Sequence, residues 1–347
     1  MTNYICTWIC VDAVGEESIY PQTGEKSSGK KHQEIYWRCI ILFFATSKRF
    51  NKTQKHILFS NTRQIPTWEG LDVAAALKEL DVEVVYTDFN YKTPKGYFNL
   101  FQNQFYEFSI LEYITKNNFN RDDQYLILDS DCIFSRSVDE LFQLAKPNGF
   151  ISFEDDCKTD LVIHGLSRLD MKELYQDLSG KIVPEIPGYH LGEFFLASVK
   201  NINIIYRDFK LLWPELMRRH NAGLPKFNEE AQTLSYIYYQ NNFKASSRKD
   251  LLKRFWTNPV FYRNVEPTDA NVAIWHLPSE KTWGLADLYQ SLIVKQKQLG
   301  LGIPDFEYQD MIGTTLGIPH ISKLRLAEYY IGSYYRAASK RVKKMFK

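Results

Sequence analysis

Short runs rich in Val, Ile, Leu, Phe and Tyr recur along the chain at residues 4–11, 56–60, 82–86, 125–128 and 150–153. Segments with helical spacing of apolar residues lie between them, at 33–48, 71–80, 99–116 and 138–144. Strands of four to eight residues alternating with helices predict a mostly parallel sheet covered by helices on both faces. Further helices are predicted at 170–178, 201–220, 229–241 and 283–299. The chain is read as α/β, a single domain with two lobes. In sheets of this kind ligands bind beyond the carboxyl ends of the strands.

Other architectures are excluded by what the sequence lacks. The longest wholly apolar run spans residues 39–45, whereas a membrane-spanning helix needs about 20 such residues. The N-terminal residues have no charged leader and no small-residue cleavage site, so no signal peptide is expected. The five cysteines form no CxxC pair, which argues against a disulfide scaffold or a structural zinc site and favours a reducing cytoplasm. No Gly-x-Gly-x-x-Gly and no Gly-x-x-x-x-Gly-Lys appears, leaving dehydrogenase and P-loop readings without support. Residues 15–31, rich in Gly, Ser, Glu and Lys, read as a mobile loop after the first strand.

Chemistry is concentrated in the segment Asp123-Gln-Tyr-Leu-Ile-Leu-Asp129-Ser-Asp131-Cys-Ile-Phe134. A buried-type strand runs into Asp-x-Asp, and apolar residues follow. Two carboxylates at this spacing are brought together by the bend of the loop, and hard oxygen ligands suit Mg²⁺ or Mn²⁺ with positions left for phosphates. Solvated acids in a turn are the plain alternative.

This segment resembles the DxD motif of GT-A fold glycosyltransferases, and the family-8 enzymes in particular. Further resemblances follow in order: Val82-Glu-Val-Val-Tyr-Thr-Asp88 to the strand ending near the donor nucleotide, the helix over 103–112 to the one before the DxD strand, Tyr189-His-Leu-Gly192-Glu193-Phe-Phe-Leu196 to an "NxGxxL" segment, and His276-Leu-Pro-Ser-Glu-Lys281-Thr-Trp283 to "HxxGxxKPW". The resemblance covers about residues 1–300. It implies a GT-A type, Rossmann-like mixed sheet flanked by helices, with 1–150 as nucleotide-binding lobe and 151–322 as acceptor lobe. His190 replaces the family's Asn, Ser279 its Gly, Thr282 its Pro and Ala231 its Gln.

On this reading the activity is metal-dependent transfer of a sugar from a nucleotide sugar, a UDP-sugar with Mn²⁺ (or Mg²⁺), to a glycan or glycolipid. Asp129, Asp131 and, by resemblance, His276 would hold the metal, Lys281 would reach the diphosphate, and Asp88 would lie near the nucleotide. A cation and a lysine neutralise the charge that grows on the leaving diphosphate. Glu230, opening a predicted helix, is expected at the donor sugar, and Glu193 is a candidate base should the reaction invert. Both have plain alternatives, since acids favour helix starts through the dipole alone. A sugar nucleotidyltransferase and a non-catalytic nucleotide-sugar-binding protein are the competing readings.

The last segment, 323–347, reads as a basic amphipathic helix. Ile331, Tyr334, Tyr335 and Val342 share one arc, and Arg336, Lys340, Lys343, Lys344 and Lys347 lie opposite. The net charge of the chain is +2, so the body without this tail is acidic. Such a helix suits the anionic inner face of a membrane, as a peripheral attachment of a cytoplasmic protein. The aromatics sit apart from the cations, so no nucleic-acid partner is expected.

Overall fold

The computed structural model describes residues 1–17, 20, 23–68, 71–296 and 298–345, and from residue 336 onward the backbone alone. Part of the loop expected at 15–31 therefore lies outside the described residues. The chain forms two compact units, one of residues 1–34, 52–130 and 139–247, the other of 35–51, 131–138 and 248–347. Neither is a continuous half of the sequence.

The strands are β1 (Asn3–Ile9), β2 (Lys55–Ser60), β3 (Thr67–Trp68), β4 (Leu71–Asp72), β5 (Val82–Tyr86), β6 (Gln124–Leu128), β7 (Cys132–Phe134), β8 (Phe150–Ile151), β9 (Phe194–Ser198), β10 (Leu252–Arg254) and β11 (Ile274–His276). The helices are α1 (Lys30–Phe50), α2 (Val73–Glu79), α3 (Tyr106–Asn117), α4 (Asp139–Ala145), α5 (Arg168–Ser179), α6 (Val199–Asn221), α7 (Glu230–Gln240), α8 (Gly284–Tyr289), α9 (Asp305–Leu316) and α10 (Lys323–Met345).

The first unit is built on a six-stranded sheet in the order β5-β2-β1-β6-β9-β8. The first four strands are parallel, β9 runs antiparallel to β6, and β8 antiparallel to β9. The sheet is thus mixed, as the family resemblance implied, and less parallel than strand–helix alternation alone predicts. The last connections do not return as βαβ crossovers. Alternate residues Cys6, Ile57, Phe59, Ile127 and Phe195 feed one core cluster, which α3, α5, α6 and α7 complete. Helix α6 places Ile202, Ile205, Phe209, Leu212 and Leu216 on its buried face, the stripe a 3.6-residue period dictates. Phe209 stacks on Phe108 of α3 with centroids 3.5 Å apart. Ser167 and Asp170 form a capping box that starts α5.

The parallel strands end on one edge, where Leu128 leads into Asp129 and Tyr86 towards Asp88. Because β9 is antiparallel to β6, with Phe194 opposite Leu128, Glu193 enters at that same edge. The Asp129 N–H donates to the Glu193 carbonyl at 3.3 Å.

The second unit holds a three-stranded sheet, β10-β11-β7, with β11 parallel to β10 and antiparallel to β7. Phe43 of α1 packs edge-on against Phe134 at 5.2 Å, and Tyr308 of α9 donates to the Phe134 carbonyl. The single helix expected over 283–299 is broken. Helix α8 gives way to a π turn at Gln290–Val294 and a separate 3₁₀ turn at Gln298–Gly300, where Gln298 and Leu299 have φ of 53° and 51°. Two residues in the left-handed region cannot continue a right-handed helix. Among the described residues, no helix is long and apolar enough to cross a membrane.

Candidate functional site

The antiparallel register of β7 and β11 puts Cys132 opposite His276. That pairing carries Asp131, the residue before β7, to the end of β11, where the Leu277 N–H donates to its carbonyl at 3.1 Å. The Asp131 carboxylate lies 3.3 Å from Nε2 of His276 and directly against the ammonium of Lys281. All three are buried: Asp131 is 1% exposed, His276 4% and Lys281 6%. Lys281 is itself placed from α1. Arg38 donates to its carbonyl, and the Tyr36 ring lies 5.8 Å from its nitrogen. Burial alone would raise the Asp131 pKa, but the Lys281 ammonium and His276 outweigh it and hold the carboxyl well below the usual range. Three sequence-predicted residues from two distant segments therefore meet in the second unit. A carboxylate oxygen and an imidazole nitrogen at this separation can ligate the same divalent ion.

In the first unit Asp129 directly follows β6, two residues before Asp131 in the chain. Around the same edge stand Glu193, Glu230 and an acid the sequence reading passed over, Glu107 of α3. Glu230 opens α7 and is 3% exposed, with its Oε2 lacking a hydrogen-bond partner. Its other oxygen crowds Gly192, where a Cβ would come within 2.5 Å of it. Only glycine admits the carboxylate there. Burial pushes the Glu230 pKa well up, with Glu229, Glu107 and Asp129 adding to the effect. Ala231 closes the other side of Gly192, 3.0 Å from that same Cβ position.

Glu107 is 3% exposed, and its Oε1 also lacks a partner. Burial, reinforced by Asp129, pushes its pKa up to about 8. The sequence does contain the signal. Glu107 lies at i−3, i−4 and i−7 from Ile110, Leu111 and Ile114, on the apolar stripe of α3, whereas Glu112 and Lys116 pair on the outer face. Since the unfolded carboxyl titrates near 4.3, folding binds a proton between that pH and about 8, so this residue costs stability as pH rises through the window. Glu107→Gln is expected to stabilise the metal-free protein at pH 7–8 and to leave it unchanged near pH 4. Urea titrations of both proteins across that range measure the difference, and a constant offset at all pH values would contradict it.

The remaining residues of the family-like segments are dispersed. Asp88 is exposed at the end of β5, beside a polar cavity of about 320 Å³ that Asn61, Arg63, Tyr86 and Glu112 also line. Three strand spacings, roughly 14 Å, separate β5 from β6, so Asp88 stands apart from the carboxylate group. His190 is a core residue. Ser152 bonds its Nδ1 at 2.9 Å, and burial lowers its pKa to about 4, so the ring is neutral.

No protein-family model and no curated protein matches the chain. Among solved structures, the chain is similar to apo mouse xyloside xylosyltransferase 1 over 79% of its own length and 97% of that chain, at 13% identity and a TM-score of 0.45. It is also similar to the galactosyltransferase LgtC, solved with donor and acceptor sugar analogues, over 89% and 99%, at 13% identity and a TM-score of 0.48. At these values the likeness assigns no residue a role.

Proposed function

We propose that the chain is a GT-A type glycosyltransferase that moves a sugar from a nucleotide sugar, a UDP-sugar, to a glycan or glycolipid acceptor. One observation carries the reading: Asp131 is buried between His276 and Lys281, two residues after an acid that directly follows a parallel strand. Asp131 and His276 are the proposed metal ligands, with Asp129, two residues earlier in the chain, proposed as the third. A divalent ion held by these residues would supply positive charge to offset the charge on the departing diphosphate. Lys281 binds the diphosphate oxygens, in exchange for the Asp131 carboxylate it now touches. Glu230, whose Oε2 lacks a hydrogen-bond partner while Oε1 packs against Gly192, accepts hydrogen bonds from the donor sugar.

A thermal-shift panel of UDP-sugars with and without Mn²⁺ tests this. The donor should stabilise only together with the ion, by about 2.7 kcal/mol at a hundredfold excess over Kd. UDP release with a glycan acceptor then separates an enzyme from a binding protein. A panel in which no nucleotide sugar shifts the melting point in Mn²⁺ overturns the proposal.

The peripheral membrane attachment belongs to the same proposal. On α10, Arg325 and Tyr329 are buried, while Ile331, Tyr334 and Tyr335 are exposed. The side chains of the cations from Arg336 onward lie outside the described residues. Because the buried root precedes residue 330, deleting 336–347 is expected to leave the fold and UDP-sugar binding intact. It should abolish co-sedimentation with anionic liposomes at low salt, where each lost cation removes about 1 kcal/mol of attraction. Equal co-sedimentation of truncated and full chains would contradict the attachment.

A further inference from the structure

We infer that His164 is the general base that takes the proton from the attacking acceptor hydroxyl, with Glu229 as its positioning residue. The inference rests on the glycosyl-transfer reading above. Sequence reasoning gave His164 no role and took Glu229 only as the start of a helix.

His164 and Gly165 are the central residues of a tight turn. Reciprocal bonds close it, Ile163 N–H to the Leu166 carbonyl at 2.9 Å and Leu166 N–H to the Ile163 carbonyl at 3.2 Å. Their φ angles are 47° and 84°. Gly165 is required, because a Cβ would come within 2.8 Å of the Asn228 amide nitrogen. A histidine in the left-handed region is uncommon, and such strain persists where the surroundings over-determine it. Here they do. Asn228 donates to the His164 carbonyl at 3.0 Å, and Gln232 donates to the Ile163 carbonyl at 3.0 Å. Between these two clamps the Glu229 carboxylate meets Nδ1 of His164.

Glu229 is 2% exposed, and its second oxygen accepts from the Tyr189 hydroxyl. A carboxylate only accepts, so Nδ1 carries the hydrogen, and in the neutral imidazole the lone pair lies on Nε2. The His164 side chain is 31% exposed, and among the described residues no partner occupies Nε2. Rings of Phe101 and Phe98 flank the imidazole at 5.0 and 6.5 Å. A third group fixes the carboxylate, the carboxylate fixes the imidazole, and the imidazole presents a free lone pair. That is the arrangement by which a base is oriented towards a nucleophile. A turn held only for stability needs no buried acid on its ring, since Asn228 and Gln232 already hold its backbone. The next residue, Glu230, is the acid proposed at the donor sugar, so base and donor contact share one helix start.

In the step, Nε2 takes the hydroxyl proton as the acceptor oxygen bonds to the anomeric carbon. The bond from that carbon to the phosphate oxygen breaks, and its electron pair leaves with the nucleoside diphosphate. Water then removes the proton from the imidazolium. The assignment holds for either stereochemical outcome, because the acceptor loses its proton in both. Of the titratable groups nearby, Glu229 touches the ring, Tyr189 stands behind Glu229, Glu230 follows it in the chain, and Lys226 bonds Asn228 at 2.8 Å.

The test uses the full chain with Mn²⁺, UDP-glucose, UDP-galactose and UDP-N-acetylglucosamine, following UDP release with water or added alkyl glycosides as acceptor. His164→Asn, which tolerates positive φ, should lower kcat by about a hundredfold or more, with UDP–Mn²⁺ binding unchanged. The acid limb of the kcat profile should disappear. His164→Gly should regain activity on addition of free imidazole, which a structural role would not allow. Glu229→Gln should lower kcat without weakening UDP binding. A folded His164→Asn protein with kcat within threefold of wild type, its acid limb intact, overturns the inference and leaves glycosyl transfer standing. Wild-type protein that neither binds UDP with Mn²⁺ nor releases UDP from these donors overturns both.

Discussion

Asp131→Ala is expected to lower the unfolding free energy of the metal-free protein by about 3–5 kcal/mol, because it leaves the buried Lys281 ammonium without its carboxylate. The same variant should lose all Mn²⁺-dependent UDP-sugar binding. The two effects need separating, and Asp131→Asn does so. It keeps an oxygen beside Lys281, so it should remain folded while still failing to bind the ion. Acidification supplies an independent check. Burial alone would raise the Asp131 pKa, but Lys281 and His276 hold it below the unfolded value of about 3.9. The carboxylate therefore contributes its full stability above about pH 4 and loses it as pH falls through the depressed folded value. Urea titrations in EDTA should show wild type weakening below about pH 4, and Asp131→Asn should lack that part of the slope. Full Mn²⁺-dependent binding by Asp131→Asn would remove this residue from the metal site.

Arg325→Ala should be comparably damaging, at about 3–5 kcal/mol, although no family-like motif contains it. Glu280, beside Lys281 in the chain and 1% exposed, anchors the start of α10. One of its oxygens meets the Arg325 guanidinium at 3.0 Å and the Gly284 N–H at 2.8 Å. The other accepts from the Tyr329 hydroxyl at 2.6 Å and from Thr257. Without Arg325 a buried carboxylate loses its charge partner at the residue next to Lys281. The expected result is a large fall in the urea midpoint together with weaker UDP-sugar binding. The double variant Glu280→Gln/Arg325→Met should recover most of the stability, since removing both charges leaves neither unpaired. No recovery would show that packing of the guanidinium, stacked 5.3 Å from the Trp283 ring, matters more than its charge.

The strands at 56–60, 82–86 and 125–128 and the helices at 170–178, 201–220 and 229–241 were legible because each is a local pattern. A short apolar run and a 3.6-residue period both act within a few positions. The candidate metal acids were legible for the same reason: Asp129 and Asp131 directly follow a run of Leu and Ile that must be buried. What the sequence could not state is which distant segments meet. The pairing of β7 with β11 spans some 140 residues, and only that pairing brings His276 and Lys281 to Asp131. Glu107 looked like an ordinary helix acid until its stripe was seen to face the core. Nothing in the local sequence singled out His164, and only α7 places Glu229 on its ring. The helix expected over 283–299 gives way to a π turn at Gln290–Val294, and further on Gln298 and Leu299 adopt positive φ, a conformation that apolar spacing does not encode. Local periodicity records which face of an element avoids water. The cost of burying an unpaired charge, settled only when segments far apart in the chain pack together, determines which carboxylates and imidazoles end up in contact.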